Sequence, residues 1–181
     1  MNPTSLDGPV TRPPPLHVSL EAGVLTLTNT DAPWNRMSLD YMDAVEHAVR
    51  LAASDPQVRA LVFTAQGDEN FSVGMDLKQI AERMADTPAL EQLLDQRLRV
   101  LAMIESLEKP SIATLFGYCL GGGLELPLAC HFRLAADTGA SIGLPEVELG
   151  VVPAWGGTAR LTRCVGRDLS LIHISEPTRP Y

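Results

Sequence analysis

From Leu16 the chain alternates: Leu16, Val18 and Leu20 are interleaved with His17 and Ser19. Glu21-Ala22-Gly23 interrupts, and Val24, Leu25 and Leu27 resume with threonines between them. Period-two alternation on both sides of a short Gly-containing break predicts a β-hairpin. The spacing then changes to three and four residues over Leu39, Met42, Val45 and Val49. This predicts a helix running to about Ser54, with Ser38 as N-cap and Asp55-Pro56 as its stop. Val58–Thr64 (VRALVFT) is nearly continuous in apolar and β-forming residues. Such a run suits a strand buried on both faces. Ile80–Leu107 is helical in composition with a break near Thr87-Pro88, and Lys109-Pro110 ends it. Further β-type runs follow at Ser111–Phe116, Phe132–Ala136 and Ala140–Leu144, alternating with helical runs at Leu124–Cys130 and Ala159–Val165. Strands alternating with helices in this way predict an α/β domain built from repeated β-β-α units.

The stretch Phe116–Pro127 (FGYCLGGGLELP) stands out. A β-type run leads into Gly121, Gly122 and Gly123, and an apolar helical segment follows. Glycine permits positive φ and close approach to the backbone. A helix starting there points unpaired N–H groups at whatever lies in front of it. Glu125 follows two residues after the last glycine. Two readings fit these residues alone. One is a tight strand-to-helix turn with an exposed glutamate in the first helical turn. The other is a site that stabilises a developing oxyanion beside an acid/base carboxylate. Phe71–Lys78 (FSVGMDLK) is a second, weaker glycine turn before a helix, and Trp155-Gly156-Gly157-Thr158 is a third.

Composition narrows the classes. The chain has 181 residues, 45% hydrophobic and 20% charged, enough for one domain with a sizeable core. A net charge of −8, with no Lys/Arg cluster, argues against a nucleic-acid partner. An anionic cofactor moiety is still compatible with backbone N–H donors and a few local cations. Cys119, Cys130 and Cys164 form no CxxC pair, and the four histidines show no metal-ligand spacing. We therefore expect reduced thiols in a cytoplasmic setting and no metal site. No apolar run has membrane-spanning length, so no membrane partner is expected. Residues 1–15 carry five of the 14 prolines and read as a disordered or extended lead-in.

Four blocks together resemble the crotonase superfamily, the enoyl-CoA hydratases and isomerases. They are Asn35-Arg36-Met37-Ser38, residues 71–78, residues 109–130 (KPSIATLFGYCLGGGLELPLAC) and residues 143–161 (GLPEVELGVVPAWGGTARL), in the family's order and spacing. The resemblance runs over residues 16–168 and implies a crotonase-like spiral of β-β-α units. It implies hydration of a 2-enoyl-CoA to a 3-hydroxyacyl-CoA in fatty acid metabolism, and assembly as a homotrimer or dimer of trimers. No cofactor is implied beyond the coenzyme A carried by the substrate. Position by position, it implies backbone oxyanion donors at Met75 and Gly122, catalytic glutamates at Glu125 and Glu146, and an acyl-CoA-lining stretch at Asp76, Leu77 and Lys78. Glu125 is assigned as the base acting on water and Glu146 as the acid to the α-carbon. Other reactions of the same superfamily, or a non-catalytic acyl-CoA-binding subunit, are the alternatives.

Three features depart from the family pattern. His131 stands where the family commonly has Asp, and the stretch between Cys130 and Glu146 is one residue longer than usual in the family, an excess we assign to Thr138-Gly139. Leu169–Tyr181 (LSLIHISEPTRPY) does not continue the family's helical pattern and resembles a translated sequencing adapter. We therefore expect residues 169–181 to be a non-native tail and the natural C-terminal region to be missing. Cys119, Cys130 and Trp155 are expected as packing residues, and Glu148 is expected to point away from the site.

Overall fold

The hairpin forms as the alternation predicts. Strand β1 (Leu16–Glu21) pairs antiparallel with β2 (Val24–Asn29). Ala22 and Gly23 close it with consecutive positive φ values of 48° and 81°, a turn whose twist matches that of paired strands. This computed structural model describes residues 14–84 and 86–175. Most of the expected lead-in, and the last residues of the expected tail, lie outside them. Pro15 is already tied down, because its carbonyl accepts the Thr30 N–H at 3.2 Å.

Helix α1 (Leu39–Ser54) follows from its apolar spacing, which buries Tyr41, Met42, Val45, Ala48, Val49 and Ala52 on one stripe. Ser38 Oγ accepts the Tyr41 N–H at 3.1 Å, satisfying an otherwise orphaned donor. Ser38→Ala should lower stability by about 1 kcal/mol. Ser38→Asp should recover most of it, as read by urea denaturation with an unchanged slope.

Strands β3 (Ala60–Ala65) and β4 (Asn70–Ser72) precede α2 (Leu77–Met84) and α3 (Thr87–Glu105). Strands β5 (Ser111–Leu115) and β6 (Tyr118–Leu120) precede α4 (Gly122–Ala129). Strands β7 (Phe132–Ala135) and β8 (Ser141–Gly143) precede a 3-10 helix (Pro145–Leu149) and α5 (Gly157–Val165). In each unit the first strand joins a five-stranded sheet of order β1-β2-β3-β5-β7, and the second joins a three-stranded sheet of order β4-β6-β8. All pairings after the hairpin are parallel. This stepwise repetition is the crotonase-type spiral, and it brings the helix starts after β6 and β8 close together.

The core sits between the larger sheet and helices α1 and α3, with Leu27, Leu61, Phe63, Val100, Leu101 and Ile104 fully buried. Burying each such side chain contributes about 1.5–3 kcal/mol. One expectation is corrected here. β3 is fully buried on one face only: Leu61 and Phe63 are sealed, whereas Val62 and Thr64 are partly exposed. On that partly exposed face Val62 neighbours Thr26 and Ile112.

The His131 departure has a local explanation. Its Nδ1 accepts the Ser111 N–H at 3.1 Å and lies 2.8 Å from Ser111 Oγ. The imidazole nitrogen therefore serves as an acceptor at the start of β5. The extra residue near Thr138-Gly139 sits in an exposed loop, with open space around Gly139. Beyond α5 the described residues continue as a helix, α6 (Arg167–Ser175). Ser170 is buried there, and its hydroxyl lies 2.9 Å from that of Thr162 on α5.

Candidate active site

Each glycine of the run at the start of α4 sits against a different neighbour. Gly121 has φ 54°, ψ −127°, a backbone that favours glycine, and a Cβ there would lie 2.8 Å from Glu146 Oε1. At Gly122 a Cβ would lie 2.5 Å from Cζ3 of Trp155, and at Gly123 it would lie 2.5 Å from the Ser72 carbonyl. The run is therefore what lets α4 start against β4, the Trp155 ring and Glu146 at once. Gly122 is the first residue of α4, so its N–H has no acceptor within the helix.

The second glycine turn meets this start. The Gly74 carbonyl accepts the Met37 N–H at 2.9 Å, and Ser72 Oγ accepts the Gly74 N–H at 3.1 Å. A Cβ on Gly74 would lie 2.8 Å from the Leu120 carbonyl and 3.7 Å from the Gly122 nitrogen. Segment 74–75 thus runs alongside the start of α4. The Met75 N–H meets no acceptor among the described residues.

Glu125 lies in the first turn of α4, yet it is 2% exposed. Its Oε1 accepts the Trp155 N–H at 2.9 Å and the Gly157 N–H at 2.8 Å, both at the N-terminal end of α5. Burial pushes its pKa up to about 7 against these two hydrogen bonds, and the nearby Glu146 charge adds to the rise. Glu146 stands on the 3-10 helix, with Oε2 buried and without a partner among the described residues. Burial raises its pKa as well. Two carboxylates in different environments are thus placed at one site, one held by N–H groups of a distant segment and one whose backbone hydrogen bond is to its own N–H.

The raised Glu125 pKa has a stability consequence. The native state holds a proton that the unfolded chain releases near 4.5, so stability falls as pH rises from about 4.5 to about 7. The full effect is of order 3 kcal/mol. Glu125→Gln should flatten that part of the curve of unfolding free energy against pH.

A cavity of about 560 Å³ collects these groups. Met75, Asp76, Leu77, Lys78, Gly122, Glu125 and Glu146 all line it, so every site residue expected from the sequence is brought to one place. The apolar part of its lining is formed by Ile80, Leu90, Leu93 and Leu94 of α2 and α3 with Val151 and Val152. Lys78 and Leu77 are exposed at its edge. The Asp76 carboxylate is occupied as a cap, accepting the Lys78 N–H at 3.1 Å and standing 3.4 Å from Gln79 Nε2. Glu148 is exposed and does not line the cavity. Cys119 and Cys130 are buried, as expected for packing thiols. No group of three or more metal-ligating side chains occurs among the described residues. No helix there is long and apolar enough to cross a membrane.

Sequence reasoning missed several contributors. Trp155 is both core and cavity wall. Arg36 also lines the cavity, with its guanidinium on Asp31 at 2.7 and 3.1 Å. Gly156-Gly157 was visible as a turn before a helix, but nothing in the sequence paired its N–H groups with Glu125.

The model of the family described as enoyl-CoA hydratase/isomerase matches residues 19–171. A probable enoyl-CoA hydratase of Bacillus subtilis is 35% identical over 164 residues, covering 90% of this chain and 62% of the relative. A crotonyl-CoA hydratase of Syntrophomonas wolfei is 39% identical over 142 residues, covering 78% and 54%. The solved enoyl-CoA hydratase of Bacillus anthracis superimposes with a TM-score of 0.81 at 30% identity, over 91% of this chain and 63% of that one. The chain thus spans 54% to 63% of the length of these relatives. The family match over most of the chain, the shared spiral and the two glycine turns meeting at one cavity agree: this chain belongs to the enoyl-CoA hydratase/isomerase family.

Proposed function

We propose that this site adds water across the 2,3-double bond of an enoyl-CoA thioester. The observation that supports the reading is that Met75, Gly122, Glu125 and Glu146 all line one cavity. Attack at C3 pushes electrons through C2 onto the thioester oxygen. The Met75 and Gly122 N–H groups stabilise the charge there, because they are fixed in place before the reaction begins. Glu125 removes a proton from water as its oxygen bonds to C3. Glu146 delivers a proton to C2. A proton transfer from Glu125 to Glu146 then restores the starting state, so the net change is the gain of one water. This division needs an ionised Glu125 and a protonated Glu146 together, and the two backbone N–H groups on Glu125 Oε1 favour the ionised form of that side chain.

The apolar part of the cavity receives the acyl chain. Asp76, Leu77 and Lys78 border the path of the coenzyme A portion, and the complete protein assembles as a trimer or a dimer of trimers. The test is turnover of crotonyl-CoA, followed by loss of the conjugated thioester absorbance. Hydration that Glu146→Gln abolishes supports the reading. Crotonyl-CoA binding without turnover, unchanged by Glu146→Gln, overturns it in favour of a binding subunit. Conversion of a 3-enoyl-CoA with no hydration would assign an isomerase instead.

A further inference from the structure

Arg97 has no place in the chemistry above, yet it is the most completely buried cation among the described residues, at 0% exposure. It lies on α3, about one turn beyond Leu93 and Leu94 of the cavity wall. Its Nη1 donates to Gln96 Oε1 at 2.7 Å, while Nε and Nη2 meet no acceptor among the described residues. Gln96 in turn reaches Asp43 and Glu46 of α1 through Nε2, at 2.5 and 3.0 Å. Burial lowers the Arg97 pKa to about 10, opposed by the more distant charges of Asp43 and Glu46. An under-bonded buried guanidinium carries a large desolvation penalty, so stability alone does not explain it.

What Arg97 does contact is the Trp155 ring, whose centroid lies 5.7 Å from the guanidinium carbon. A planar cation over an indole is attracted by the ring quadrupole, and that attraction strengthens away from water. The same ring closes on Gly122, where no Cβ would fit. The backbone of Trp155 is committed on both sides. Its N–H donates to Glu125 Oε1 at 2.9 Å, and its carbonyl accepts from Arg160 Nη1 at 2.7 Å. One residue therefore touches both the proposed oxyanion donor and the proposed base. Arg97 is the charged group in cation–π contact with its ring.

We propose that Arg97 is a positioning residue: by its cation–π contact with the buried Trp155 ring, it holds that ring against Gly122 and the Trp155 N–H on Glu125. The kinetic part of this role rests on the hydratase reading; the contact with the ring does not. Small displacements of reacting groups are expensive in rate, so the site has a use for a rigid wall.

The experiment uses the full chain carrying Trp34→Phe, which leaves Trp155 as the single tryptophan of the two. Trp34 is 52% exposed and would otherwise dominate quenching. Arg97→Met fills similar space without the charge, Arg97→Lys keeps the charge without the planar fork, and Gln96→Ala cuts the link to α1. With Arg97→Met, we expect unchanged far-UV circular dichroism and an unchanged or raised unfolding midpoint. The near-UV signal of Trp155 should weaken and acrylamide should reach the ring more readily. On crotonyl-CoA, kcat should fall about 10-fold with KM unchanged. Arg97→Lys should restore part of both signals, and Gln96→Ala should lower the midpoint without moving either.

An unaltered Trp155 signal in a folded Arg97→Met chain overturns the proposal. So does an altered signal with undiminished kcat, which would make the contact structural only. If the parent chain shows no turnover, the kinetic comparison drops out, and the spectra alone decide whether Arg97 holds the ring. Should Arg97→Met not fold, Arg97→Lys carries the same comparison.

Discussion

Glu125→Gln should leave the fold intact and lower kcat on crotonyl-CoA by about 10³-fold, within the range that positioned proton transfer contributes. The reason lies in how the side chain is held. Oε1 accepts two backbone N–H groups, from Trp155 and Gly157, and a glutamine carbonyl oxygen can accept both. The substitution therefore preserves the position while removing the ability to take a proton. It also removes a buried ionisable group, so the variant should gain stability near neutral pH, where the parent holds Glu125 partly ionised against burial. Loss of rate with gain of stability is the signature of a functional rather than structural carboxylate. The parent profile of kcat against pH should show an acid limb centred near 7, because the base must be ionised. Lower kcat accompanied by a lower unfolding midpoint would instead show that Glu125 mainly ties α4 to α5.

Gly122→Ala should cost about 10²–10³-fold in kcat, the usual penalty for losing one oxyanion donor. No donor is deleted here, since alanine keeps its N–H. The effect comes from space: the new methyl would lie 2.5 Å from Cζ3 of Trp155 and 2.8 Å from Cη2. Either the start of α4 or the indole must move, and overpacking of this kind costs about 1–3 kcal/mol. Moving α4 displaces the Gly122 N–H, and moving the indole strains the Trp155 N–H on Glu125. The double variant Gly122→Ala/Trp155→Leu separates these effects. It should regain only part of the stability, because the clash is gone but the buried indole and its contact with Arg97 are lost, and only part of the rate. Undiminished kcat in Gly122→Ala would remove Gly122 from the oxyanion role.

Local patterns made much of the fold legible. The hairpin, α1 with its Ser38 cap, and the break at Thr87-Pro88 between α2 and α3 each depend on neighbours a few residues away. Turn chemistry and apolar spacing describe such features fully. The two glycine turns that meet at the cavity were legible for a related reason. A glycine run between a strand and an apolar helix has few uses, and the order of four such blocks along the chain made the match specific. β3 was misjudged because an apolar run looks the same whether one face is covered or both.

The chemical state of the site was not legible. Glutamate in the first turn of a helix ordinarily faces water, and residues 122–129 alone give no reason for Glu125 to be buried. Its environment comes from α5, 32 residues further on for the Gly157 donor, and from Glu146 on the 3-10 helix. Arg97 was hidden more deeply. A charged residue among apolar ones on a helix ordinarily marks a solvated edge, and only packing of α3 against Trp155 turns it inward. The sequence by itself determined which residues are of types that can carry chemistry and which segments are strands, helices and turns, because these depend on residue type and short spacing. Only the tertiary structure decided which carboxylate is desolvated, which N–H groups converge and which cation is buried, because desolvation and alignment arise between segments far apart in the chain.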